Sequence, residues 1–364
     1  MIRARHRVAR LARSASWLIV LGVLASGLAG LASLGTGAAP EVASARAARG
    51  TADQLVGDEV RRFRFEYEVE IPADLEAPDQ VEGPLRIFLP IATDATGQRI
   101  LDLEIDSPIK GQLHDDAQGN RTWSALLPAN RSADLLIVVR YGVERAVVRS
   151  GDERGDARAA SQFLGASERV VVDHPILDPI LAEIRASAPG DEPATRARAI
   201  YDWVVDNVEY KKIGSGWGNG DTFWACSERY GNCTDFHSLF ISLARTEGIP
   251  ARFQMGFPIP GDRAAGTIGG YHCWVELWLP NVGWVPIDAS EAFKHPEKRE
   301  LFFGTHPADR MKFTTGRDLR LGPEHRGRPL NYFIYPYLEA GGEGVPADVR
   351  ARFRYREEGA AGES

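Results

Sequence analysis

Cysteine is scarce in this chain: 364 residues hold only three, Cys226, Cys233 and Cys273. An odd count leaves at least one thiol unpaired or paired with another chain, and a chain of this length needs no disulfide to build a core. Positive charge is not in excess either. Lys and Arg number 43 against 50 Asp and Glu, a formal net charge of −7. An acidic chain lacks the cationic surface that holds phosphate backbones, which argues against a nucleic-acid partner. No apolar run after residue 45 is long enough to cross a bilayer. No acidic calcium-loop pattern is present, and no internal repeat is visible. The Gly-rich stretch "GSGWGNG" (214–220) has no Lys-Ser/Thr after it and no strand-then-helix context, so it does not read as a phosphate loop. A flexible wall beside a cleft is the expectation there.

The N-terminus has the order of an export signal. Arg3, Arg5, Arg7, Arg10 and Arg13 precede the apolar "WLIVLGVLASGLAGLASL", and "ASA" (43–45) offers a small-residue cleavage site. The apolar stretch is long for a cleaved signal, so residues 1–45 are expected to be a signal peptide or an N-terminal membrane anchor. The mature chain is expected to begin near Arg46 and to be periplasmic or secreted. Without residues 1–45, which carry five arginines and one glutamate, the formal charge of −7 becomes −11.

The remaining length suits two domains. "RRFRFEYEVEI" (61–71) alternates strictly, which predicts a half-buried strand with Phe63, Phe65, Tyr67, Val69 and Ile71 inward. "LRIFLP", "RILDLEI", "RTWSALLP" and "DLLIVVRYGVE" read as further strands between turn clusters. Residues 58–148 are therefore expected to form an all-β, sandwich-like domain, with His114 in a loop and no chemistry. After a charged linker at 150–160 the period turns helical. Ile176, Ile180, Leu181 and Ile184 form one stripe; Ala197, Ile200, Val204 and Val208 form another. Strands follow at "ARFQMGF", "CWVELWLP" and "GWVPIDAS", and in the tail at "DRMKFTTGRDL", "LNYFIYPYLEA" and "VRARFRYRE". The fold class is α+β, with a second domain over 160–355.

"RYGNCTDFHSLF" (229–240) places Cys233 at the predicted first position of a helix capped by Asn232, with Phe236, Leu239, Phe240 and Leu243 at core spacing. Free N–H groups and the helix dipole lower a thiol's pKa at that position. A cysteine nucleophile needs a base, and the base an orienting group. "GGYHCWVELWLPNVGWVPIDAS" (269–290) supplies His272 and Asp288 on one predicted hairpin. Pairing in which residue numbers sum to 560 sets them opposite; a sum of 562 sets them diagonal, and a one-residue slip separates them onto opposite faces. Each has a plainer reading: a small core cysteine, a structural histidine, an aspartate capping a turn. His237, one turn beyond Cys233, either contacts the thiolate or packs beside the cleft. Cys273 alternates away from His272 and is expected to be a packing residue, while Cys226 is a candidate reversible cap on Cys233. Cys226, Cys233, His237, His272 and Cys273 lack the close pairs of a zinc site, so neither a metal nor a cofactor is expected. Trp217 or Trp224 could line a substrate groove.

Taken together, "GNCTDFHSLFISLARTEGIPARFQMGF" and "GGYHCWVELWLPNVGWVPIDAS" resemble the transglutaminase-like superfamily. The shared marks are Gly-x-Cys at a helix start, "GIPAR" after it, His-x-Trp-x-Glu on a strand and Gly-Trp-x-x-x-Asp. The resemblance implies a permuted papain-like core over about 195–290. It also implies Cys233 as nucleophile, His272 as base and acid, and Asp288 as orienting carboxylate. The implied activity is cysteine acyl transfer on a peptide, protein or cell-wall peptide substrate, as hydrolysis through a thioester or as amine transfer. A non-catalytic binding module on the same fold is the alternative.

Overall fold

The computed structural model describes residues 59–75, 83–346 and 348–359. The expected export segment at 1–45 lies outside the described residues. Alternation in Val60–Ile71 is realised as read: Phe63, Phe65, Tyr67, Val69 and Ile71 are buried, while Arg62, Arg64, Glu66, Glu68 and Glu70 point to the other face. This strand is the centre of an antiparallel sheet ordered Ala265–Ile268, Arg350–Glu357, Val60–Ile71, Leu135–Ala146, Gln98–Asp106. A second antiparallel sheet runs Glu343–Gly344, Tyr337–Ala340, Arg86–Ile91, Arg121–Leu126, Gln112–Asp115. His114 belongs to the last of these strands and not to a loop, because its neighbours pair with Arg121–Leu126.

Both β sheets are completed by the C-terminal tail. Arg350–Glu357 pairs along Val60–Ile71 from Phe63↔Glu357 to Glu70↔Arg350. Tyr337–Ala340 pairs with Arg86–Ile91. A strand left at an edge presents unpaired N–H and C=O groups, and the tail covers them. The exposed faces of the first pair are laced by Arg352 with Glu68 and by Arg354 with Glu66 and Glu68.

A four-stranded antiparallel sheet carries the site. Its order is Gly283–Ile287, His272–Leu279, Ala251–Pro258, Arg310–Thr315. Phe257 and Phe313 from its last two strands meet Phe65 and Tyr67 of the first sheet, with ring centroids 5.6 to 6.5 Å apart. Phe353 from the tail closes this aromatic cluster, 4.7 Å from Tyr67 and 4.1 Å from Phe257. The sheet and the tail thus share one core with the N-terminal strands.

Helix Cys233–Thr246 lies against strands His272–Leu279 and Ala251–Pro258 and is surrounded by helices Pro193–Asn207, Thr222–Glu228 and Ala289–Lys294. Its predicted stripe of Phe236, Leu239, Phe240 and Leu243 is buried, but so are Thr234, Asp235, His237, Ser238 and Ser242. The polar residues are tolerated because they find partners; the Ser242 and Thr222 hydroxyls, for instance, are 2.6 Å apart. The stripes in Asp178–Ser187 and Pro193–Asn207 are also buried, save that Ile176 falls in the 3-10 turn Pro175–Leu177 and Leu177 takes the core position.

Because Phe353 joins tail, first sheet and site sheet, Phe353→Ala is expected to destabilise the whole fold by about 3–5 kcal/mol, the range for truncating a buried aromatic ring. Urea unfolding followed by tryptophan fluorescence checks this. A tail that folds independently would leave the main transition unmoved.

Candidate active site

The start of the Cys233 helix is built by a reciprocal cap. The Asn232 side chain accepts from the Thr234 N–H (2.9 Å), and the Asp235 carboxylate accepts from the Asn232 N–H (2.9 Å). Asp235 also accepts from the Gly218 and Gly220 N–H groups, at 2.6 and 3.1 Å. The Gly-rich loop is therefore tied at its base to the helix and is not the free wall expected from its composition. Its glycines serve backbone shape: Gly218 and Gly220 have φ of 82° and 59°, the left-handed region. Trp224, half-buried, lies against Gly216, whose missing side chain leaves the ring its place.

His272 and Asp288 meet across the hairpin. Val275 pairs with Ile287 and Leu279 with Gly283, which is the register summing to 562, so Asp288 sits diagonal to His272 and just beyond the last pair. His272 Nε2 is 2.8 Å from Asp288 Oδ2. Asp288 Oδ1 meanwhile accepts from the Ser290 hydroxyl (3.1 Å) and the Glu291 N–H (3.0 Å), capping helix Ala289–Lys294. The two readings of a strand-end aspartate hold together, one on each oxygen.

Cys233 is 2% exposed, and His272 and Cys273 are the neighbouring side chains that lower its pKa. With Nε2 engaged by Asp288, the ring nitrogen left to His272 for the thiol is Nδ1. Burial opposes a charged Cys233, but the interactions with Cys273 and His272 and the charge of His272 prevail, holding the thiol well below its ordinary value. Burial likewise opposes a charged His272, and Asp288 and the Cys233 thiolate overcome it, pushing the imidazole up to about 10. The arrangement favours a thiolate–imidazolium pair.

Cys273 is not the remote packing residue that strand alternation implied. It does face the helix, away from the side of His272, but Cys233 stands at the strand's end, within reach of both faces. The Cys273 thiol is 3.8 Å from Thr234 Oγ1, which accepts from it, and 3.5 Å from His237 Nδ1. Burial and the adjacent Cys233 thiolate push it well above the ordinary thiol value. His237 is buried and contacts Cys273; its Nε2 lies 3.6 Å from Asp288 Oδ1. Burial pushes it down to about 4, so it is neutral. Cys226 is not among the groups acting on Cys233; burial pushes it up to about 11, and all three cysteines are free thiols.

Sequence reasoning missed two groups. Arg310 Nη1 donates to Asp288 Oδ2 at 3.0 Å and its guanidinium lies 5.1 Å from the Trp274 ring centre. It comes from the strand at the far side of the sheet, and no spacing rule links it to Asp288. Tyr271, whose hydroxyl is 2.9 Å from both Asn232 Nδ2 and Thr234 Oγ1, was readable in principle, being next to His272 in the chain.

Residues 181–289 match the family model for the transglutaminase-like superfamily. Over 330 residues the chain is 25% identical to an uncharacterized protein of Haemophilus influenzae, spanning 79% of this chain and 89% of that one. A 77-residue stretch is 32% identical to the uncharacterized protein YebA of Bacillus subtilis, covering 19% of this chain and 10% of YebA. The fold is similar to that of a candidate cysteine protease from Cytophaga hutchinsonii, at TM-score 0.53 and 18% identity, covering 83% of this chain and 99% of that one. At that identity the likeness is one of fold.

The thiol environments differ enough to be read chemically. In the folded protein iodoacetamide at mildly acidic pH is expected to alkylate Cys233 and to leave Cys226 and Cys273 unmodified, as peptide mapping would show. Reactivity should fall only as pH drops through the lowered Cys233 value, and the imidazolium partner should persist up to about pH 10. Labelling that appears only near the ordinary thiol value of 9.0 would contradict the thiolate–imidazolium pair.

Proposed function

Residues 181–289 belong to the transglutaminase-like superfamily, and on that footing we propose that the protein is an exported cysteine acyl-transfer enzyme that hydrolyses peptide or amide bonds through a thioester. The observation that carries this reading is the 2.8 Å His272–Asp288 hydrogen bond together with a buried Cys233 at its helix start, whose thiol His272 helps to hold below its ordinary value. Cys233 is the nucleophile, His272 the proton carrier and Asp288 the group that orients and charges it.

The thiolate attacks the carbonyl carbon while His272 retains the proton. By analogy, the Cys233 backbone N–H is the candidate donor to the oxyanion. The C–N bond then breaks, His272 gives its proton to the departing amine, and a thioester remains on Cys233. His272 next takes a proton from water, whose oxygen attacks the thioester; the acid leaves and the thiol is restored. Hydrolysis requires only these residues and water, whereas amine transfer requires in addition a site that holds the amine and excludes water. Substrates of this class are peptides, proteins or cell-wall peptides. Export rests on the basic n-region, apolar stretch and "ASA" order of residues 1–45; among the described residues no helix is long and apolar enough to cross a membrane.

Cys233→Ala is expected to lower turnover by more than about 10³-fold with an unchanged circular dichroism spectrum, since alanine suits a helix start. A folded variant within tenfold of wild type would overturn the assignment of Cys233 as the nucleophile. Purified protein offered peptide and cell-wall mixtures should show a Cys233 thioester by mass spectrometry, absent in the variant.

Hydrolysis and transfer diverge at that thioester. With millimolar labelled primary amine present, free acid is expected as the main product. A majority of amine conjugate would replace the hydrolase reading with a transferase one.

A further inference from the structure

Glu276, the last residue of the His-x-Trp-x-Glu motif, takes no part in the chemistry above. It lines a cavity of about 310 Å³ that contains none of Cys233, His272 and Asp288. The cavity lies between the N-terminal strands, which contribute Thr96 and Arg145, and the site sheet, which contributes Arg252, Gln254, Glu276 and Lys312. Exposed Asp94 and Gln118 are also in its lining.

Its charges do not pair off. Arg252 is clamped by two carboxylates: Glu153 accepts from its Nη1 (2.9 Å) and Nη2 (2.7 Å), and Glu276 from its Nε (2.7 Å). Glu153 also accepts from the Thr96 hydroxyl, and Glu276 from Gln254. Both carboxylates, the buried Glu276 and the half-buried Glu153, thereby engage one guanidinium. Arg145 and Lys312 are left without a carboxylate at ion-pair distance among the described residues. Arg145 is 3% exposed; its Nη1 donates to the Thr96 carbonyl (3.0 Å), and its Nε has no hydrogen-bond partner. Lys312 Nζ has one contact, a 3.4 Å bond to the Thr315 hydroxyl. Asp94 spends its carboxylate on the Ile100 N–H.

A buried cation without a counter-charge, such as Arg145, is costly, and a second, half-buried cation, Lys312, beside the same polar cavity adds to the cost. We propose that the cavity binds a small oxyanion, a carboxylate- or phosphate-sized group held between Arg145 and Lys312. Such a group supplies the missing acceptors: one for Arg145 Nε and at least one for the Lys312 ammonium. Burial, foremost, lowers the Lys312 ammonium to about 8 against the pull of Glu276 and Glu153, and lowers Arg145 to about 10, consistent with cations that lack a bound partner. The site is coupled to the hairpin of His272, because Trp274 Nε1 donates to Gln254 Oε1 (3.0 Å) and Gln254 donates to Glu276. This inference stands independently of the acyl-transfer reading.

The test is calorimetric titration of the full chain with inorganic phosphate, sulfate and acetate at constant ionic strength, with chloride as reference. One-site, saturable binding of at least one oxyanion is expected, with phosphate or sulfate preferred if the site takes tetrahedral groups and acetate if it takes carboxylates. Lys312→Met and Arg145→Gln should each weaken it by about tenfold or more, the scale of a lost charge-assisted hydrogen bond. A crystal grown with saturating sulfate locates the anion without any variant: density between Arg145 Nε and Lys312 Nζ is expected. An empty cavity there, no saturable binding of any of the three anions, or equal binding by folded variants overturns the proposal.

Discussion

The buried carboxylate of Asp288 is the constraint on which the rest of this site depends. A charge with no exposure to water survives in a protein only when every lone pair is engaged. Here the engagement comes from four directions: the His272 ring, the Arg310 guanidinium, the Ser290 hydroxyl and the Glu291 N–H. Burial pushes its pKa up, and His272 and Arg310 pull it well below the ordinary carboxylate range. Removing one partner from such a cluster costs about 3–5 kcal/mol, because the remaining charge is stranded. The cluster therefore locks the hairpin, the helix after it and the far strand of the sheet into one geometry, and the His272 imidazole is held as a consequence.

A second buried carboxylate does comparable work at the helix start. Asp235 accepts N–H groups from Asn232, Gly218 and Gly220 at once. Burial raises its pKa, opposed by those three backbone donors. The helix end that faces the thiol and the loop beside it are thus one unit. The dipole of a helix whose first turn is clamped in this way points consistently at Cys233.

The pair Cys233 and Cys273 shows where pattern reasoning misleads. Alternation along His272–Leu279 was read correctly, with Cys273 on the helix side. The inference that Cys273 therefore lies away from the chemistry failed, because the nucleophile itself sits on that helix, at the end of the strand. Its thiol, kept protonated by burial and by the neighbouring thiolate, is a donor toward Cys233 and Thr234. Likewise the glycines of residues 214–220 were legible as backbone freedom, and the structure uses that freedom for left-handed geometry and close approach of Trp224.

Local pattern carried much of the fold. The period-two burial of Phe63 to Ile71, the helical stripes, the Asn232 cap and the hairpin that carries His272 and Asp288 were legible from short-range sequence rules, because alternation, capping and hairpin pairing act over a few residues. What only the tertiary structure decided is everything that joins distant segments. The register summing to 562, the return of the tail to pair with Val60–Ile71, the arrival of Arg310 at Asp288 and the meeting of Arg145 with Lys312 depend on how sheets stack and where their edges find partners. Such contacts are selected by the burial of whole surfaces and the satisfaction of backbone edges, quantities summed over many residues that no local window contains.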